Sequence, residues 1–422
     1  MLQLATEVHM AYVPRLADGE LTAALARAGA VLIEGPKACG KTETALQQSA
    51  SVVHVDTDPS VDQLMAVDPA LLLEGDTPRL FDEWQLQPRL WNAVRREVDS
   101  RGSRGQFILT GSTAPSRDAS RHSGAGRFAR LQMHTMTLFE SGHSNGNVSF
   151  GALLEGAAPR AVDPGLTFDA LITRIAVGGW PGFVGSSATD VLAGLRDYVS
   201  FVAEVDIQTA GTARDPRRVR RLMTSLARAT ATEISISTLA RDEASLSRDA
   251  VREYLDALAR IFVVEDQPAW SQHLRSSATL RKEPKRHFCD PSLAVALLGA
   301  DATALRKDLA FLGQLFESLV VHELRAFSQA TGADVFHARD STGREVDAIV
   351  QRRDGRWAAF EVKLGNSPET IEAAANSLLR FAGDVDTRTD ALAPTLGVIV
   401  GSGPSYRRPD GVDVIAIGAF GP

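Results

Sequence analysis

Gly35-Pro36-Lys37-Ala38-Cys39-Gly40-Lys41-Thr42 follows the spacing G-x-x-x-x-G-K-T. The apolar run Ala30-Val31-Leu32-Ile33 before it reads as a short buried strand, and Lys41 through Gln48 after it reads as a helix. Strand, loop and helix in that order are the setting in which this spacing carries chemistry. Glycines let the backbone curl so that successive N–H groups point inward at a triphosphate. The helix N-terminus adds partial positive charge at the same place. On this reading residues 35–42 form a phosphate cradle, in which Lys41 reaches the β/γ oxygens and the Thr42 hydroxyl ligates Mg²⁺. The competing reading is a Gly-containing loop with a Thr capping the helix.

The surrounding sequence extends the pattern. Ser51 through Asp56 is a second strand, and Arg79-Leu80-Phe81-Asp82-Glu83 is an apolar strand ending in two adjacent carboxylates. Asp82 is placed to hold Mg²⁺ through water, and Glu83 to polarise the attacking water. The alternative for Glu83 is a solvated charge at a strand end. Trp84-Gln85 opens a helix, and Gln106 through Thr110 is a fourth strand. Thr110 and Ser112 then stand between the carboxylate strand and the γ-phosphate, or simply make a turn. Arg127, in the Gly-rich stretch 123–130, is expected near the nucleotide edge of the sheet. There it either meets charge on the γ-phosphate or sits exposed on a loop. A fifth strand is expected over 131–136. The additional strand and the acidic pair point to a parallel sheet with helices on both faces, the additional-strand class of P-loop ATPases that includes the AAA type.

With 422 residues, the chain exceeds what one core usually accommodates. Three units are expected: a P-loop domain over 1–145, a helical lid and winged-helix segment over 146–304, and an α/β domain over 305–422. A formal net charge of −7 gives no global basic signature, so contact with nucleic acid needs a local patch. The two cysteines make no disulfide framework and no zinc spacing. The first ten residues lack a basic stretch followed by an apolar one, and no apolar run spans a bilayer. A cytoplasmic protein without membrane contact is expected.

Residues 146–164, rich in Gly, Ala and Pro, read as a linker, and 167–228 as a helical lid on the P-loop domain. Arg214, Arg217, Arg218, Arg220, Arg221 and Arg228 make the densest basic run. They form a phosphate-backbone strip, supply an arginine that senses nucleotide, or cover a solvated helix face. Ser235 through Arg241 and Ser247 through Arg260 are two helices with Ser caps, followed by a strand at 261–264, a winged-helix outline. Asp249, Glu253 and Asp256 on the second helix repel phosphate, which favours a protein or intramolecular contact over DNA reading.

The C-terminal stretch holds a second constellation. Phe316 through Leu324 is an amphipathic helix bearing Glu317 and Glu323, Arg344 through Val350 is a strand, and Trp357 through Leu364 is another. Asp347 followed by Glu361-x-Lys363 on a hairpin is the pattern of a restriction-endonuclease-like fold. Asp347 and Glu361 would bind one or two Mg²⁺, Glu317 would complete the ligand set, and Lys363 would orient or activate water. A three-residue loop, Arg353 to Gly355, puts Asp347 opposite Glu361 and on one face with Lys363. A two-residue loop would put the carboxylates on opposite faces. The competing reading is cross-strand charge pairing on a solvated face, Lys363 with Glu345.

Gly35 to Thr42, Asp82-Glu83-Trp84-Gln85, Leu109-Thr110-Gly111-Ser112, Gly126-Arg127 and Phe139-Glu140 occur in the order seen in a large group of prokaryotic AAA-type ATP-binding proteins. Gly178-Gly179-Trp180-Pro181, Tyr198 and Asp206-Ile207 resemble the middle segment of the same group. The resemblance spans most of the chain; Cys39 stands where members often carry a bulkier apolar or a polar residue. It implies ATP binding with hydrolysis and a C-terminal nuclease-like domain of uncharacterised function. Expected partners are ATP, a nucleic acid met by the C-terminal domain, and a protein partner or a second copy. The alternative is a nucleotide-dependent protein-interaction switch with a silent nuclease-like domain. Cys39, at a helix start beside Lys41, is either a reactive thiol that bound ATP shields from alkylation or an inert filler.

Overall fold

A computed structural model describes residues 12–113, 123–209, 214–242, 246–271, 283–339, 345–385 and 393–422. The N-terminal unit runs α1 (Leu16–Arg27), β1 (Ala30–Glu34), α2 (Lys41–Leu46), β2 (Ser51–His54), α3 (Ser60–Val67), α4 (Pro69–Leu73), β3 (Arg79–Asp82), α5 (Arg89–Arg101), β4 (Phe107–Gly111) and β5 (Phe128–Gln132). Its five strands form a parallel sheet in the order β2-β3-β4-β1-β5. Every residue of β1 and β4 is buried, as expected for strands covered on both faces. One apolar layer joins α1, Cys39 and Ala45 to the sheet, and the other joins α3, α4 and α5. Trp91 of α5 stacks on Phe128 with ring centroids 4.1 Å apart, closing the second layer over the edge strand.

The fifth strand starts three residues earlier than expected, and residues 133–136 leave the sheet. Met136 N–H donates to the Gly179 carbonyl at 2.6 Å, so this segment is captured by the middle unit instead. Residues 146–164 are not a free linker. They form β6 (Val148–Ser149), α6 (Phe150–Leu154) and β7 (Arg160–Ala161). Both strands are two residues long, too short for any hydrophobic period to show.

The middle unit runs α7 (Phe168–Val177), α8 (Ala188–Phe201), a π-helical turn at Val202–Asp206, α9 (Ile207–Thr209), α10 (Pro216–Arg228), β8 (Thr232–Glu233), α11 (Ile236–Asp242), α12 (Arg248–Arg260), β9 (Val264–Gln267), β10 (Lys285–Phe288), α13 (Pro291–Leu297) and α14 (Ala302–Lys307). The three strands pair antiparallel in the order β8-β10-β9. β9 begins three residues later than expected because Phe262 turns the chain with φ of 58° after α12. Arg217, Arg218, Arg220, Arg221 and Arg228 lie on the exposed side of α10, opposite buried Val219, Leu222, Met223 and Leu226.

The C-terminal unit comprises α15 (Leu309–Thr331), β11 (Ala333–Arg339), β12 (Glu345–Arg352), β13 (Trp357–Lys363), α16 (Pro368–Asp384), β14 (Thr395–Val400), β15 (Ser405–Arg407), β16 (Asp413–Ala416) and β17 (Phe420–Gly421). The sheet order is β11-β12-β13-β14-β16-β15-β7, and β6 pairs with β17. The first three strands are antiparallel, while β13, β14 and β16 are parallel, with α16 crossing from β13 to β14. Residues 148–161 therefore belong with this unit, not with the middle one. A single apolar core runs from Leu138 through the middle helices to Phe420, so the two units share an interior.

Gly179 is where this junction is tightest, because a Cβ built there would lie 1.9 Å from the Met136 carbonyl oxygen. Gly182, three residues on, has nothing within 4 Å. Gly179→Ala is expected to lower stability by about 2–4 kcal/mol in urea unfolding, with Gly182→Ala within about 1 kcal/mol of wild type.

Candidate active site

The loop after β1 is shaped by positive backbone angles at Gly35 (φ 154°), Ala38 (φ 61°) and Gly40 (φ 101°). Glycine is required at 35, where a Cβ would meet the Met133 carbonyl oxygen at 2.4 Å. Lys41 is buried, and its ammonium donates to the carbonyls of Gly35 at 3.0 Å and Pro36 at 2.8 Å. The charge therefore sits inside the loop. β4 lies between β1 and β3, and the ends of β3 and β4 converge with the start of α2. The Asp82 carboxylate accepts from Thr42 Oγ1 at 2.8 Å and from Thr110 Oγ1 at 2.5 Å. His54 Nδ1 lies 3.5 Å from its other oxygen. Glu83 directly follows β3 in a left-handed conformation (φ 53°), and its carboxylate accepts from Gln85 Nε2. Ser112 is buried one residue past β4.

The structure bears on two of the open readings here. Arg127 precedes β5, whose first residue pairs with Ala30, so it stands at the start of the strands. The phosphate loop follows Glu34 at their far end, about 16 Å of strand away. Arg127 is half-buried and ion-paired with Asp99 at 2.6 Å, so it does not reach the phosphate loop of its own chain. The Cys39 side chain is fully buried, in the apolar cluster that includes Leu21, Ile33 and Met133. That burial contradicts a reactive thiol.

Of the residues around the loop, Arg15 carried no sequence signal, while Glu140, Tyr198 and Asp206 entered only through the family resemblance. Arg15 is buried; its guanidinium donates to the Cys39 carbonyl at 2.7 Å, the His134 carbonyl at 2.9 Å and Glu140 Oε1 at 2.9 Å. Glu140 also accepts from the N–H groups of Leu16 and Thr137, both at 2.8 Å. It remains a low-pKa carboxylate because Arg15 and these donors outweigh its burial. Lys37 pairs with Asp206 of the π-helical turn at 2.5 Å, and Tyr198 OH donates to its carbonyl at 3.3 Å. The middle unit thus touches the loop directly.

The stretch after β5 ties all three units together. Thr135 Oγ1 donates to Asp290 Oδ2 at 2.8 Å and lies 2.9 Å from His322 Nε2. Gly179 N–H donates to the same Asp290 oxygen at 2.9 Å, and Leu138 N–H donates to Glu323 Oε1 at 2.9 Å. Burial drives the neighbouring His134 down to about 4, so it is neutral in this junction at pH 7.

In the C-terminal unit the hairpin register agrees with expectation. Arg352 N–H donates to the Arg356 carbonyl, and Ala348 pairs with Phe360, which puts Asp347 level with Glu361. Lys363 lies 2.7 Å from Glu361 and 3.5 Å from Asp347, not on Glu345. Asp347 Oδ2 also accepts from the Val362 N–H at 2.8 Å. The expected metal-ligand set is not assembled as such. Lys285 of β10 stands 2.6 Å from Glu317 and 3.7 Å from Asp347, an intrusion from another unit that local spacing does not show. Among the described residues, no three His, Cys, Asp or Glu side chains are placed to hold a metal ion. Burial, then the nearby Asp347, raises the pKa of both Glu317 and Glu361. Burial works against the charge on Lys285 and Lys363, but the carboxylates around them more than compensate and raise both.

Residues 27–141 match a family model described as an AAA domain, and the phosphate loop and carboxylate strand lie inside it. Residues 168–304 and 312–420 match two domains of unknown function, DUF8612 and DUF4143. Uncharacterized proteins of Mycobacterium tuberculosis and Mycobacterium bovis are each 27% identical over 369 residues, covering 86% of this chain and 77% of theirs. A Walker-type ATPase of Pyrococcus abyssi superposes with a TM-score of 0.43 at 12% identity, over 68% of this chain and 96% of that one. On the family match alone, residues 27–141 are an AAA-type, P-loop ATPase-like domain. Among the described residues, no helix is long and apolar enough to cross a membrane.

Both Cys39 and Cys289 are free and buried. A colorimetric thiol reagent is expected to label neither in the native protein within minutes, and both after denaturation. Rapid labelling of Cys39 in the native protein would contradict its packing.

Proposed function

We propose that the protein binds ATP in loop 35–42 and hydrolyses it, and that the nucleotide cycle acts on the C-terminal unit through the middle one. One observation carries the first part: hydroxyls from α2 and β4 converge on a carboxylate from β3, beside a loop that holds a buried ammonium. Three elements far apart in sequence are brought together there. The donor chemistry suits a triphosphate with Mg²⁺. Thr42 and Asp82 would hold the ion, which neutralises charge on the β- and γ-phosphates when bound.

The chain's own residues supply the rest. Lys41 exchanges its two carbonyl partners for phosphate oxygens, and the loop N–H groups supply further donors. Glu83 takes the proton of the attacking water, with Gln85 fixing its carboxylate. Thr110 orients Asp82 from the side. Lys37 couples the loop to Asp206 of the middle unit, so a change of its partner is felt there.

Support for the finer reading lies in topology. The order α10-β8-α11-α12-β9-β10 with a three-stranded antiparallel sheet supports the reading of a winged helix. A long helix bearing Glu317, a hairpin bearing Asp347, Glu361 and Lys363, then a crossover helix and parallel strand, favour a restriction-endonuclease-like C-terminal fold, with nucleic acid as its target. The ammonium of Lys285 among those carboxylates favours a second reading, a nucleotide-dependent switch whose nuclease-like unit is silent.

Steady-state ATP hydrolysis tests the proposal. Glu83→Gln is expected to lower kcat by about 100-fold or more while ATP affinity stays within about threefold of wild type. Equal turnover by both proteins would remove Glu83 from the chemistry, and no turnover by wild type would leave the domain a binder only.

A further inference from the structure

Strand β10 belongs to the middle unit, yet its Lys285 is buried inside the C-terminal unit. Alternation along the strand places Lys285 and His287 on one side, with Arg286 reaching back to the Ile234 carbonyl on the other. On the first side Lys285 meets Glu317, and His287 Nδ1 lies 3.1 Å from Ser318 Oγ, both on α15. Gln267 of β9 donates to the carbonyls of Phe336 at 2.9 Å and Asp347 at 3.0 Å, and its Oε1 lies 3.0 Å from His287 Nε2. Beyond β9, Trp270 N–H donates to the His337 carbonyl at 2.7 Å. The ammonium of Lys285 is therefore delivered by a docked sheet with a fixed register.

We propose that Lys285 is a built-in cation that keeps the C-terminal carboxylate cluster closed to divalent metal ions while β10 is docked on α15. This rests on reading Glu317, Asp347 and Glu361 as cation-binding groups, as the proposed fold implies. An ammonium is a compact point charge with three donors. At 2.6 Å from Glu317 and 3.7 Å from Asp347, it occupies the ground that an ion bridging helix and strand would need. Lys363 closes the other side, between Glu361 at 2.7 Å and Asp347 at 3.5 Å. A divalent ion and Lys285 compete for the same oxygens, so only one of them can be there. The middle unit, which also touches the phosphate loop through Lys37 and Asp206, thus carries the block.

The test is Mn²⁺ binding to the full-length, nucleotide-free protein, read from the electron paramagnetic resonance signal of free Mn²⁺. An Asp347→Asn change in each background isolates the C-terminal site. Wild type is expected to show no Asp347-dependent binding. Lys285→Met is expected to gain an Asp347-dependent site at least about tenfold tighter than anything in wild type. Equal Asp347-dependent binding in both proteins, or none in the variant, overturns the proposal. If Lys285→Met does not fold, Lys285→Met/Glu317→Gln removes both charges of the short pair and retains Asp347 and Glu361. That protein must show the site, and its absence is equally fatal. ATP hydrolysis is read separately, so a failure of the nucleotide reading leaves this result standing.

Discussion

A lysine ammonium enclosed by two main-chain carbonyls is what the N-terminal half is arranged around. Burying a charge is costly unless polar partners meet it. Gly35 and Pro36 supply those partners only because the loop takes left-handed angles at Ala38 and Gly40. That shape in turn needs a buried strand before it and a helix after it. The loop's outer side is held by Arg15, which spans the Cys39 carbonyl, the His134 carbonyl and Glu140. The loop thus depends on a residue before α1 and on one past β5, so the domain closes around it from both ends.

The same short stretch past β5 makes three units into one body. Residues 133–140 leave the sheet and place Thr135 against Asp290 and His322, Met136 against Gly179, and Leu138 against Glu323. Each partner comes from beyond the N-terminal domain. A change in the loop meets this junction through Arg15 and Glu140, and meets the helical unit through Lys37 and Asp206. These are two physical contacts between the phosphate loop and the units that carry Glu317 and Lys285.

Much of the phosphate-loop geometry was legible because it is local. The glycine spacing, the apolar strands and the acidic pair Asp82-Glu83 are contiguous words whose geometry is set within a few residues. The hairpin of Asp347, Glu361 and Lys363 was legible for the same reason, since loop length fixes register. What failed was non-local. Arg127 follows glycines, but its place is set by where β5 starts, at Phe128, which stacks on Trp91 from a distant helix. Residues 146–164 have a linker's composition, yet β6 and β7 are held by partners more than two hundred residues away. Lys285 lies in a charged stretch with no motif, and only the docking of β9 and β10 carries it to Glu317. Cys39 sits in a phosphate loop, but its side chain turns to the core, which loop spacing does not encode.

Calorimetric titration of ATP with Mg²⁺ into wild type and Lys41→Ala addresses the central claim most directly. A single site in wild type, weakened about 10- to 100-fold by losing one charged hydrogen-bonding partner, is the predicted result. Identical heats for the two proteins, or no heat in wild type, would contradict it.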